Sequence, residues 1–451
     1  MKVFHSKWLL AAGLLVICIA QLPAQVQPPI PPPDKRYKAD ILVIVAHPDD
    51  DTGVSTYLAK AVLDEGKRVA VIFTNRGNSG PNAVGMEQSK ALADVREIEA
   101  RRALATLGIT NVWFLRGQDT PTQDVLHSLE TLGHGAALEE VVRIIRLTRP
   151  SVIITWMPAY VAGENHGDHQ AASVTAVEAF DLAGNPTAFP EQLEAPRQHD
   201  GIANYGEGLH PWQVKKIYFF SDATHPDFLK GHGPTYLASD ISRTKKIPFS
   251  DIARQMWKQY ATQIDFSQQV LNYFINLPEH LVLGKSLVPS PVDADVWTGV
   301  NNKPIGFVPR PEFTPSAETG ISLELGGPWA FYQDFYRAHG LKSMEHLVDP
   351  PQSALSADRQ LWVPLLLKNG SSAAADITLH ADMPSGWSGN TEDRVYHLDA
   401  GATYPIELFL TAPAGSTGKT PQMLRWTASE NGAPVGKAKL LVYLEYNDVP
   451  Q

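Results

Sequence analysis

Four short runs of the chain are apolar at nearly every position: Ile41–Val45, Val69–Phe73, Val112–Leu115 and Val152–Thr155. A strand with no polar face must be covered on both sides. Between the runs lie segments of helical character. Thr52–Glu65 spaces Val54, Leu58 and Val62 by four and stops at Gly66; Glu87–Leu107 is charge-laced and stops at Gly108; Leu138–Leu147 follows. Apolar strands separated by helices predict an α/β fold, a Rossmann-like, mostly parallel sheet with helices on both faces. In such sheets ligands bind beyond the carboxyl ends of the strands.

At 451 residues the chain exceeds what one core supports. Its first 24 residues read as a secretory signal: Lys2 and Lys7, an apolar run from Trp8 to Ala20, then Leu22-Pro23-Ala24. That predicts a secreted or periplasmic protein with no transmembrane segment after cleavage, lipidation at Cys18 being the alternative destination. Residues 25–37 form a Pro-rich linker. Residues 38–345 are assigned to the α/β domain, with a core at 38–265 that includes a fifth strand in "KKIYFF" (215–220) and a helix at 249–263, and an extension at 266–345. From 355 to 451, short alternating runs between Gly, Pro, Asn and Ser predict an immunoglobulin-like β-sandwich without its disulfide. A net charge of −10 argues against a nucleic-acid partner. Cys18 is the only cysteine, so thiolate metal sites and thiol catalysis are excluded from the mature chain, and any metal site must use His, Asp or Glu. Oligomeric state is left open.

The first strand ends in "AHPDDD" (46–51), an imidazole and three carboxylates at one strand tip. Adjacent carboxylates repel and are costly to desolvate, and a cation would relieve both problems. The fourth strand is followed by "GENHGDHQ" (163–170), which brings His166, Asp168 and His169 to the same sheet face. Two imidazoles and a carboxylate with an open position are a usual ligand set of catalytic zinc, and iron(II) or another divalent ion suits them too. His47, Asp50 and His169 supply that set and leave Asp49 and His166 for proton transfer. The plainer readings are a polar turn with Asp51 or Thr52 as helix cap, and an exposed Gly/His loop. "THPD" (224–227) reads as a turn. Arg76, in the glycine-rich "TNRGNSGPN", is either a sugar contact or a surface arginine. Arg96 and Glu99 read as a buried structural pair, and Trp156, Tyr160 and Trp212 as packing residues or sugar platforms.

Ala46-His47-Pro48-Asp49-Asp50-Asp51, the later His166-Gly167-Asp168-His169, and "DVREIEARRALATLGI" with Arg96 and Glu99 between them resemble the LmbE-like, or PIG-L, zinc-dependent N-deacetylases over about residues 38–265. The resemblance implies zinc on His47, Asp50 and His169, Asp49 as general base, His166 as acid and oxyanion stabiliser, and Asp168 as a group orienting an imidazole. It implies removal of acetyl groups from an N-acetylated amino sugar, such as an N-acetylglucosamine-containing glycan or glycoconjugate. The chain departs from the family pattern at Asp51, where Glu is usual, and at Gly167, where Pro is usual and whose loss is expected to loosen the loop holding His166. Competing readings are an amidase for another small amide conjugate, a carbohydrate-binding protein with a structural metal site, and a sandwich that tethers or adheres.

Overall fold

The computed structural model describes residues 32–159, 166–194, 207–221, 223, 226–263, 268–309, 319–355, 360–390, 392–413 and 418–444. The signal-like segment, Pro-rich residues 25–31, Tyr160, Thr224 and His225 lie outside the described residues.

The N-terminal part runs β1 (Ile41–Val45), α1 (Ser55–Ala59), β2 (Val69–Phe73), α2 (Ser89–Thr106), β3 (Asn111–Phe114), α3 (Val125–Leu132), α4 (His134–Thr148), β4 (Val152–Trp156), α5 (Gly167–Leu182), β5 (Lys216–Phe220), β6 (Thr235–Tyr236), α6 (Phe249–Trp257), α7 (Gln268–Phe274), β7 (Glu279–His280) and β8 (Val282–Ser286). The sheet order is β3-β2-β1-β4-β5-β8. All pairings are parallel except the last, where β8 runs antiparallel to β5 and closes the edge. Alternate residues of β1 feed two separate cores. Leu42 and Ile44 meet Val125, Val141 and Val174 of α3, α4 and α5, while Ile41, Val43 and Val45 meet Leu58, Leu104 and Met256 of α1, α2 and α6. This two-sided burial is why these strands carry no polar alternation.

The helix expected over Thr52–Glu65 is subdivided. A 3-10 turn at Asp50–Val54 leads into α1, and a wider π turn at Lys60–Asp64 ends it. Its exposed amide donors are met from a distance. Glu279 in β7 accepts from the backbone N–H groups of Thr56 and Tyr57, each at 2.7 Å.

The C-terminal part comprises β9 (Ile321–Leu325), α8 (Pro328–Ala338), β10 (Gln352–Leu355), β11 (Gln360–Asn369), β12 (Ala375–Asp382), β13 (Ser388–Gly389), β14 (Arg394–Leu398), β15 (Thr403–Thr411), β16 (Gly418–Glu430) and β17 (Ala433–Leu444). They form one sheet ordered β10-β17-β16-β12-β14 and another ordered β13-β15-β11-β9. Leu323, Leu365 and Leu408 of the second sheet share a core with Ile377, Trp426 and Leu440 of the first. The sequence placed residues 321–325 in the α/β extension, but β9 pairs with β11 and belongs to the C-terminal sheets. Helix α8 works on both sides: Phe335 and Tyr336 join the α/β core, while Trp329 packs on the C-terminal core. Among the described residues no helix is long and apolar enough to cross a membrane.

Candidate metal centre

In this strand order the direction of winding reverses between β1 and β4, which opens a crevice beyond their carboxyl ends. The turn after β1 carries His47, Asp49 and Asp50, and the first turn of α5 carries Asp168 and His169 next to His166. Residues 122 positions apart thus meet: His47 Nδ1 lies 3.0 Å from His169 Nε2. Asp50 Oδ1 lies 3.4 Å from His47 Nδ1 and 3.2 Å from His169 Nε2. A tetrahedral ion with ligand bonds of about 2.0–2.1 Å requires donor separations of about 3.3–3.4 Å. The triangle is therefore the size a zinc-like ion requires, and it brings together two basic nitrogens and a carboxylate oxygen. His47, His166 and His169 also offer ring nitrogens within 4.8 Å of one another, and so does a group of His47, Asp119, His166 and Asp168. The His47–Asp50–His169 triangle is a third such grouping, with separations of 3.0–3.4 Å.

The other oxygen of Asp50 is fully engaged. Oδ2 accepts from the backbone N–H of Ala46 at 2.8 Å and of His47 at 3.0 Å, and from the Trp156 indole N–H at 2.7 Å. This leaves Oδ1 to face the imidazoles. Burial alone would raise the Asp50 pKa, but His169 and His47 outweigh it and hold the carboxyl well below its usual range. Trp156 also stacks on the His169 ring, with centroids 4.3 Å apart and planes 3° from parallel. It therefore fixes two of the three donors.

With Nδ1 turned to the triangle, His47 presents Nε2 to Asp119 at 3.3 Å and Asp168 at 3.5 Å. Burial would depress the His47 pKa, but Asp50, Asp119 and Asp168 hold it well above the ordinary value. Carboxylates behind a ligand imidazole fix its tautomer. Asp168 is anchored by Ser128 Oγ at 2.6 Å, Thr120 Oγ1 at 2.7 Å, Thr120 N at 3.0 Å and Asn75 Nδ2 at 3.2 Å. Despite burial, these contacts and His47 keep it ionised. The sequence motifs missed Asp119, although it follows β3 on the same sheet face as the other two groups. They also missed Asn75, Thr120 and Ser128, whose small polar side chains carry no spacing signal.

Asp49 is half-buried on the wall of the same cleft, and its backbone sits at φ 154°, ψ −15°. Such a conformation costs a residue with a Cβ about 1–3 kcal/mol and persists only where its surroundings impose it. Burial first, and the Asp50 charge second, push its carboxyl up to about 7. His166 donates from Nε2 to the Thr120 carbonyl at 2.7 Å, leaving Nδ1 as its titrating atom. Burial, with His47 and His169 beside it, lowers its pKa. At the departure from the family pattern, Asp51 is wholly buried, accepts from the Tyr260 hydroxyl at 2.6 Å, and is raised by burial to about 8.

The centre lies in a cleft of about 820 Å³. Its lining combines polar residues, among them Asp49, Asp119, His166 and Arg96, with apolar ones, among them Trp257, Leu271, Phe274 and Leu277. Arg76 does not line it. It pairs instead with Asp94 and Glu97 of α2, each at 3.3 Å, and among the described residues Arg96 is the arginine that lines the cleft. Nor do Arg96 and Glu99 pair: Arg96 donates to the carbonyls of Gly77 and Pro81 and braces the loop after β2, while Glu99 binds Thr262. Trp212 lies at the far side of the sheet, where its indole donates to the Pro150 carbonyl at 2.6 Å. Gly167 opens α5 and is itself closely held. Its N–H donates to the Thr122 carbonyl at 2.8 Å, and a Cβ there would stand 2.6 Å from Ser128 Oγ.

Fold and donor set together define an α/β protein with a metal-type centre at the topological switch point of its sheet. Residues 42–180 match the family model PIG-L, GlcNAc-PI de-N-acetylase, and so carry a PIG-L, or LmbE-like, domain. The chain is 27% identical over 211 residues to 1D-myo-inositol 2-acetamido-2-deoxy-alpha-D-glucopyranoside deacetylase 1 of Catenulispora acidiphila, covering 44% of this chain and 60% of that protein. It is 30% identical over 189 residues to the enzyme of the same name from Frankia alni, covering 38% and 59%. It thus spans about 60% of the length of these relatives. Among solved structures, N,N'-diacetylchitobiose deacetylase from Pyrococcus horikoshii is similar at 17% identity and a TM-score of 0.40, over 54% of this chain and 84% of that one.

Proposed function

We propose that the chain is a metal-dependent N-deacetylase, with zinc as the ion, acting on an N-acetylglucosamine-containing glycan or glycoconjugate. The observation that carries this reading is the His47–Asp50–His169 triangle with Asp49 next to it on the cleft wall. Relatives named as deacetylases of a 2-acetamido-2-deoxy sugar support the substrate class. A divalent cation held by the triangle would supply Lewis acidity to the amide carbonyl and make water more acidic. Asp49, on the cleft wall beside the triangle, takes the proton of the attacking water. His166, in the form protonated at Nδ1, stabilises the developing oxyanion and gives that proton to the leaving nitrogen, and the proton taken by Asp49 replaces it over the turnover. The amide C–N bond breaks, the water oxygen stays with acetate, and the amino sugar leaves. Asp168 and Asp119 hold His47 in the tautomer that keeps Nδ1 toward the triangle.

A protein that only bound metal or sugar would have no use for a strained aspartate at this position. We further read the first 24 residues as an export signal, which places the substrate outside the cytoplasm, and the C-terminal sheets as immunoglobulin-like. The test is release of free amine from a small N-acetylglucosaminide by the zinc-loaded full chain, its chelated form and the Asp49→Asn variant. Amine release should vanish on chelation and fall about 100-fold or more in the variant. Equal rates in the variant would remove Asp49 as base, and no release by the loaded wild type would remove the proposed reaction.

A further inference from the structure

A second cleft, of about 590 Å³, lies between helix α8 and the strands of the C-terminal sheets. Its walls combine aromatic rings with groups that accept hydrogen bonds. Trp329 and Tyr332 come from α8, and Trp362, 48% exposed, comes from the outer face of β11. Asp124, Glu345 and Asp349 stand around them, with the amides of Gln333 and Gln352. Tyr336 lines the same cleft, and its buried hydroxyl has no hydrogen-bond partner among the described residues. Among the described residues that line it there is no lysine, arginine or histidine.

We infer that this junction cleft is a second saccharide-binding site, for a neutral or amine-bearing glycan. Aromatic faces suit the C–H faces of a pyranose ring. Carboxylates only accept hydrogen bonds, so the ligand must donate, as sugar hydroxyls and a protonated amine do. Repulsion by Asp124, Glu345 and Asp349 disfavours phosphorylated or sulfated ligands. A proline-rich peptide would also stack on such rings, but a prolyl residue has no N–H to offer the carboxylates.

The cleft adjoins the metal centre through one loop. Asp119 and Pro121 line the catalytic cleft, while Gln123 and Asp124 line the junction cleft. Two residues of chain span at most about 7.6 Å, so the two clefts lie side by side. That a single glycan occupies both rests on the proposed function; the saccharide chemistry of the junction cleft does not.

The experiment is calorimetric titration of tetra-N-acetylchitotetraose and of its fully de-N-acetylated form into the full chain. His169→Ala serves as the background, so that turnover does not interfere. At least one form should bind, and Trp362→Ala or Gln333→Ala, both changing solvent-accessible side chains, should weaken it about ten-fold. Failure of both saccharides to bind, binding unaffected by either substitution, or binding only of a proline-rich peptide would each overturn the inference. Amine release from the small N-acetylglucosaminide by the wild type reports separately on the catalytic reading, so the two can fail independently.

Discussion

Trp156 ties the two halves of the centre together, because its indole N–H holds Asp50 while its ring lies flat on His169. Trp156→Phe keeps most of the ring and removes the donor. Metal affinity, measured by competition with a chromophoric chelator, should fall about 10–100-fold, and unchanged affinity would mean that Asp50 needs no such support. Gly167 makes a second prediction at this scale. Gly167→Pro removes the donor to Thr122 and forces a ring toward Ser128, so thermal unfolding should show a loss of about 1–3 kcal/mol. An equally stable variant would restore the view that the glycine merely loosens the loop. The meeting of His47, Asp50 and His169 was legible in the sequence because each sits in a dense polar motif at a strand end. The donor role of Trp156 was not, since an indole that packs and an indole that donates look alike in sequence. For Arg76 the sequence left a sugar contact and a surface arginine open, because the partners that favour the second, Asp94 and Glu97, lie on α2 and leave no mark on the glycine-rich loop.

Strands β1, β2, β4 and β5 were legible because strands buried on both faces leave runs that are almost wholly apolar, and the edge strand β3 because its short run is apolar after Asn111. Helix α3 and strands β8 and β9 were not. Each is short, and β8 and β9 carry half-buried edges with a polar or glycine residue at most second positions. The helical segment after β1 was placed correctly, but its anchor came from elsewhere. At its C-terminal end Asp64 accepts from Ser242 Oγ at 2.7 Å, Arg243 N at 2.6 Å and Thr244 N at 3.0 Å. Burial would raise this carboxyl, but the hydrogen bonds prevail and bring it down to about 2. The folded state therefore binds fewer protons than the unfolded chain between about pH 2 and pH 4. The stabilisation is complete above that window and is lost as pH falls through it. In denaturant titrations, wild type should exceed Asp64→Asn in stability at pH 6, and the gap should close toward pH 2; a gap independent of pH would contradict the hydrogen-bonding account.

Over the whole molecule, α8 joins the parts, with Phe335 and Tyr336 in one core and Trp329 against the other. A truncation at residue 355, where composition alone places the boundary, strips β9 of its partner β11 and exposes Leu323 and Leu325. Such a fragment should aggregate in light scattering and unfold at a lower temperature than the full chain. A fragment as stable and monodisperse as the full chain would show that the C-terminal sheets are dispensable to the α/β domain. The account as a whole depends on two motifs, far apart in sequence, building one metal site. Native mass spectrometry of the zinc-loaded chain, wild type beside His169→Ala, tests this most directly. One ion retained by the wild type and lost from the variant is the predicted result; a wild type that retains none, or a variant that retains its ion as tightly, would contradict it.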